Sequence, residues 1–134
     1  FYYAKRALKV VSVEHDQEWF NKISANKPSN SEMIFCELHA GGQYSKMPAS
    51  MGLKFDIIIV DGRDRVNCCL QSLAALSNQG VVVRDDSGRD NYTEARRFFQ
   101  KEGFKELSFS GISPGLFYRK STSVFYRAEN CLDI

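Results

Sequence analysis

Alternating strand and helix patterns predict an α/β fold, with a mostly parallel sheet, helices on both faces and an antiparallel C-terminal hairpin. Three observations carry this. β-branched runs and amphipathic stretches follow one another along the chain. The segment Phe55 to Val60 holds four consecutive aliphatics, Ile57 to Val60, as expected of a strand covered on both faces. The last two strand patterns are joined by a short, turn-rich link, which suits a hairpin. No repeat, low-complexity tract or composition break divides the 134 residues, so 1–134 reads as one domain.

Taken in order, Phe1 to Arg6 resembles the tail of a helix. Lys9 to Glu14 is a short β-branched strand ending in an acid. Asp16 is a candidate N-cap for a helix that puts Trp19, Phe20 and Ile23 on one face, and Lys27-Pro28-Ser29-Asn30 breaks it. Met33 to Leu38 reads as a second strand. His39 to Leu53, with Gly41, Gly42, Pro48 and Gly52, reads as a long loop. After the strand at Phe55, a helix is expected from about Arg65 to Ser77, stopped by Gly80. Val81 to Val83 then forms a strand running into Arg84-Asp85-Asp86. Asn91 and Glu94 form a candidate capping box, and Tyr92, Ala95, Phe98 and Phe99 make the buried stripe of the next helix. Strands at Lys105 to Ser110 and Ser121 to Arg127 close the chain through Ile112-Ser113-Pro114-Gly115. Trp19, Phe98, Phe99 and Phe104 are expected in the core.

The composition, 43% apolar and 25% charged, is that of a globular protein, and no apolar run approaches the length that spans a bilayer. A net charge of +2 gives no concentrated basic face, so neither nucleic acid nor a membrane is an expected partner. Four cysteines without a Cys-x-x-Cys pair read as reduced, packed thiols of a cytoplasmic protein. The chain has no initiator Met and no secretory pattern, and reads as a fragment.

In open α/β sheets, ligands sit beyond the carboxyl ends of the strands. Acids stand at all four such ends, in Glu14-His15, Glu37-Leu38-His39, Asp61-Gly62-Arg63 and Asp85-Asp86-Ser87. A small-molecule substrate is the expected partner. A strand-end carboxylate such as Glu14 can accept two hydroxyls in a bidentate manner. Asp61 can orient substrate, act as a general base or bind a metal. His15 and His39 are candidate bases near neutral pH. Arg63, Arg65, Arg84 and Arg89 would flank the mouth, either gripping an anion or pairing with Asp64, Asp85, Asp86 and Asp90.

Several of these stretches, in this order and spacing, resemble the class I S-adenosylmethionine-dependent methyltransferases, whose domain is Rossmann-like. Val11-Ser12-Val13-Glu14-His15-Asp16 is similar to that family's second strand, Phe55 to Gly62 to its fourth and Gly80 to Asp86 to its fifth. The hairpin from Phe104 to Arg127 resembles its reversed last strand. The resemblance implies S-adenosylmethionine as cofactor, with Glu14 on the ribose and His15 and Asp61 beside it, and methyl transfer to oxygen of a small-molecule or sugar-like substrate. Asp61 and His15 are the implied catalytic groups. Likeness to the metal-dependent O-methyltransferases implies a magnesium ion held by Asp61, Asp85 and Asp86. The family's first strand and Gly-x-Gly loop would precede Phe1, so the chain reads as N-terminally truncated. The strands at Lys9 and Phe55 must then pair directly, leave a gap or recruit another chain. The competing reading is a non-catalytic Rossmann-like module that forms a homodimer through this incomplete sheet.

Overall fold

A computed structural model describes residues 2–88, 93–112, 115 and 117–134. The elements are β1 (Val10–Glu14), α1 (Gln17–Ser24), β2 (Ser31–Phe35), α2 (Gln43–Ser50), β3 (Phe55–Val60), α3 (Arg65–Ser72), β4 (Leu76–Arg84), α4 (Thr93–Lys101), β5 (Lys105–Ile112) and β6 (Arg119–Tyr126). They form an α/β fold with two sheets. β1 and β2 pair in parallel, Glu14 opposite Phe35. The second sheet has the order β3-β4-β6-β5, with β3 parallel to β4 and the last two strands antiparallel. Parallel strands followed by an antiparallel hairpin are the expected arrangement. The strands at Lys9 and Phe55 do not pair directly: β1 and β3 lie in separate sheets.

The core lies on one face of the four-stranded sheet. Directly paired residues share a face, so Ile58, Val82 and Phe125 point the same way, onto Cys69 of α3 and Ala95 and Phe99 of α4. Phe99 stacks on Phe125 with ring centroids 4.4 Å apart, and meets Phe104 edge-on at 5.4 Å. All three rings are buried. Ile57, Ile59, Leu107 and Phe109 fall on the opposite face by the same register, and all four are exposed.

The strand at Phe55 is covered on one face only, since Ile57 and Ile59 are exposed, and three further expectations change. The loop His39 to Leu53 contains α2. Gly41 enters it at φ +63°, and its amide donates to Asp64 Oδ2 at 2.8 Å, while the Ser45 hydroxyl donates to the Gly42 carbonyl. Turn-forming residues hid a short helix whose support is tertiary: Tyr44 and Ser45 are buried. The helix after Arg65 stops at Ser72, a 3-10 turn spans Leu73–Ala75, and β4 has already begun at Leu76. Gly80 therefore lies inside a strand. Between Phe55↔Leu76 and Ile57↔Val81 the register jumps, and a Cβ on Gly80 would come within 2.9 Å of the Phe55 carbonyl. Trp19 is the third case. It sits on α1 at 50% exposure, covered by Lys22 rather than by the core.

The Asp16 cap forms as expected, its Oδ1 accepting from the Trp19 amide at 2.8 Å. The candidate capping box at Asn91, the burial of Tyr92, the roles of Arg89 and Asp90, and the turn at Ser113-Pro114 lie outside the described residues.

Candidate functional site

β1 and β3 end in acids on separate sheets, and Tyr44 brings the two ends together. Its ring meets the His15 ring edge-on with centroids 5.6 Å apart. Its hydroxyl packs so closely on Gly62 that a side chain there would collide with it. Burial raises the Tyr44 pKa, with the Cys68 and Glu14 charges adding to it, so the phenol stays protonated. Tyr44 thus touches the residue that follows each acid, His15 after Glu14 and Gly62 after Asp61.

Glu14 is held by its own turn. Its Oε1 accepts the amides of His15 at 2.8 Å and Asp16 at 2.9 Å, and His15 Nδ1 lies 3.1 Å away. Among the described residues, nothing hydrogen-bonds Oε2. A concavity of about 380 Å³, lined by Glu14, Asp16, Glu18, Trp19 and Lys22, opens beside it. His15 packs between Glu14 and Tyr44. His39 and Glu37, by contrast, form an exposed pair 3.6 Å apart on the surface.

At the ends of β3 and β4, Asp61 and Asp85 share a hydrogen bond. Burial raises the Asp61 pKa first, then the Asp85 charge and that bond. Burial also pushes Asp85 upward. The Thr122 hydroxyl at 2.9 Å, the Asp86 amide, Asp61 and Arg65 outweigh it and hold Asp85 below the usual value. The Asp61 carboxyl is thus shifted up and the Asp85 carboxyl down. A second concavity of about 480 Å³ opens beside Asp85, walled by Phe109, Ile112, Lys120 and Thr122.

The expected magnesium ligands do not fit the ion. Among the described residues no group of three or more acids, histidines or cysteines is disposed to hold a metal. Arg65 lies among the three carboxylates instead. Its guanidinium is 3.3 Å from Asp61, 3.9 Å from Asp85 and 3.7 Å from Asp86, and Lys120 reaches Asp86 at 3.3 Å. Of the other arginines expected at the mouth, Arg84 is fully buried, over the Phe125 ring and donating to the Ser87 carbonyl. The sequence reading missed Tyr44, whose only signal was one aromatic in a turn-rich stretch.

No family profile matches the chain, and no curated relative matches its sequence. Solved structures do match. The O-methyltransferase TomG from Streptomyces achromogenes, solved with S-adenosylmethionine, superposes with TM-score 0.63 at 15% identity over 89% of the chain. A methyltransferase from Pyrococcus furiosus gives 0.59 at 16% over 89%. Spermidine synthase from Thermotoga maritima gives 0.62 at 13% over 94%. The fold is that of the class I S-adenosylmethionine-dependent methyltransferases. At these identities the likeness shows the fold alone, and the chain spans 39% to 62% of the length of these and related structures.

Among the described residues no helix is long and apolar enough to cross a membrane. All four cysteines are free, and burial pushes Cys68 up to about 12 and Cys69 up to about 11, which keeps both as unreactive thiols.

Proposed function

We propose that the chain belongs to an S-adenosylmethionine-dependent methyltransferase that acts on oxygen of a small-molecule or sugar-like substrate, in the cytoplasm. Glu14 carries the reading. One oxygen of its carboxylate is fixed by two backbone amides, the other has no hydrogen-bond partner among the described residues, and Glu14 lines an open concavity, an arrangement suited to receiving a sugar diol. His15 acts as a positioning group, packed beside Glu14 and resting on Tyr44.

When bound, the cofactor supplies an electrophilic methyl on a sulfonium. The chain's part is to fix the ribose at Glu14 and to take the acceptor's hydroxyl proton at Asp61 as the oxygen–methyl bond forms. Asp85, kept ionised by Thr122 and Arg65, raises the proton affinity of Asp61 and makes it the better base of the two. No step is routed through a metal, because Arg65 sits among the carboxylates that would hold one.

Calorimetric titration with S-adenosylhomocysteine tests this. Binding is expected, and Glu14→Gln should weaken it about tenfold, roughly the worth of one hydrogen bond to a charged group. Equal affinity in the variant, or no heat at millimolar ligand, counts against the reading.

A second reading is favoured by the gap between the sheets. The unpaired edges of β1 and β3 can accept a strand from another copy, which makes a homodimer. Light scattering across micromolar concentrations decides this: a mass that doubles supports it, and a monomer throughout removes it.

A further inference from the structure

We propose that Arg65 is the rim's built-in cation, occupying the position a divalent ion would take and closing the strand ends to metal. Arg65 sits in the first turn of α3, and its side chain is 15% exposed. Its guanidinium is fixed by three backbone carbonyls, with a longer hydrogen bond to the Asp61 carboxylate at 3.3 Å. Nε donates to Gly62 at 2.9 Å, Nη2 to Asp61 at 2.9 Å and Nη1 to Asp85 at 2.8 Å. A planar fork spans two strand ends in this way, and a flexible ammonium cannot. The carboxylates of Asp61, Asp85 and Asp86 gather around it at 3.3 to 3.9 Å.

Other groups take up further oxygens of the cluster. Thr122 donates to Asp85 Oδ1 at 2.9 Å, and Lys120 lies 3.3 Å from Asp86 Oδ1. A magnesium ion demands oxygens in octahedral array at about 2.0–2.1 Å. Here it would have to displace a guanidinium held by three carbonyls, and separate carboxyl groups already bound elsewhere. Arg65 is a positioning residue: it compensates the acids and sets the spacing of Asp61 and Asp85, with no contact to substrate required. The inference rests on the methyltransferase reading only for its comparison with metal-dependent enzymes. Its test uses no cofactor, so the two can fail separately.

The test is a Mn2+ titration of the whole chain followed by paramagnetic broadening of the Asp61, Asp85 and Asp86 amide signals. In the unaltered protein no saturable broadening is expected through several millimolar. Arg65→Gln, which removes the charge but keeps a polar side chain of similar shape, should bind Mn2+ at the rim at least about tenfold more tightly, because clustered carboxylates left without a counter-charge recruit one. Arg65→Lys should stay closed to the ion. If Arg65→Gln unfolds, as judged by circular dichroism, Arg65→Met reads the same question. Submillimolar Mn2+ binding at the rim of the unaltered protein overturns the proposal, and so does a folded neutral variant that gains no affinity.

Discussion

The two sheets of this protein are built to different standards. In the four-stranded sheet Val82 and Phe125 are all but inaccessible, as is Phe99 of α4 above them, and helices α3 and α4 close one face. The β1–β2 unit and its helix α1 contain no buried residue at all. Its main aromatic contact is Phe20 against Phe35, centroids 5.7 Å apart. The lesson is one of division of labour. The proposed base Asp61 and its neighbour Asp85 stand on the packed sheet, while the proposed ribose ligand Glu14 stands on the loose one. Tyr44 touches both units, through His15 and Gly62.

This difference can be broken from the packed side first. Phe99→Ala should cost about 4 kcal/mol, because a large ring leaves a cavity in a core that cannot collapse onto it. Phe20→Ala should cost about 1–2 kcal/mol, since its site is partly exposed and loses little packing. Urea denaturation measures both, and equal losses would erase the distinction between the sheets.

Tyr44→Ala comes next, at about 3 kcal/mol for a buried ring. Its signature is regional. Amide exchange in β1 and β2 should speed up while β4 and β6 stay protected, since the tie between the units is gone. Gly62→Ala acts on the same tie from the other side. The added methyl meets the Tyr44 hydroxyl, so a loss of about 1–2 kcal/mol from overpacking is expected. Combined with Tyr44→Phe, which removes that hydroxyl, most of the loss should return.

The smallest effect is on titration. Asp61, raised above the ordinary value of 3.8, contributes stability that is full below that value and is lost as pH rises through its higher folded value. Asp85, lowered, contributes stability that is present above 3.8 and is lost as pH falls through its depressed value. Carboxyl carbon NMR should show Asp61 titrating above Asp85. In Asp85→Asn the Asp61 transition should move down, because the neighbouring charge and hydrogen bond are removed.

Much of the packed sheet was legible in the sequence. Ile57 to Val60 announced a strand, although only Ile58 and Val60 meet the core while Ile57 and Ile59 are exposed; the stripe of Ala95, Phe98 and Phe99 announced α4, and the short last link announced the hairpin. These are local periodicities, and burial produced them. The loose unit was legible in its cap at Asp16 but not in Trp19, whose helical spacing suits a core residue although no core lies beneath it. What escaped the sequence was long-range. α2 is stabilised by contacts of Tyr44 with residues up to 29 positions earlier in the chain, at His15. The register jump that absorbs Gly80 depends on the Phe55 carbonyl of the neighbouring strand. The three acids were found by their strand-end positions. Their cation was taken to be magnesium because no spacing rule shows that Arg65 folds back over Asp61 and across to Asp85.

The central claim is that Glu14 and Asp61, on different sheets, form one rim. Mapping amide shifts on titration with S-adenosylhomocysteine tests it most directly. The account predicts shifts at His15, Asp16, Tyr44 and Gly62 together, with one common dissociation constant. Shifts at His15 and Asp16 that leave Tyr44 and Gly62 untouched would contradict it.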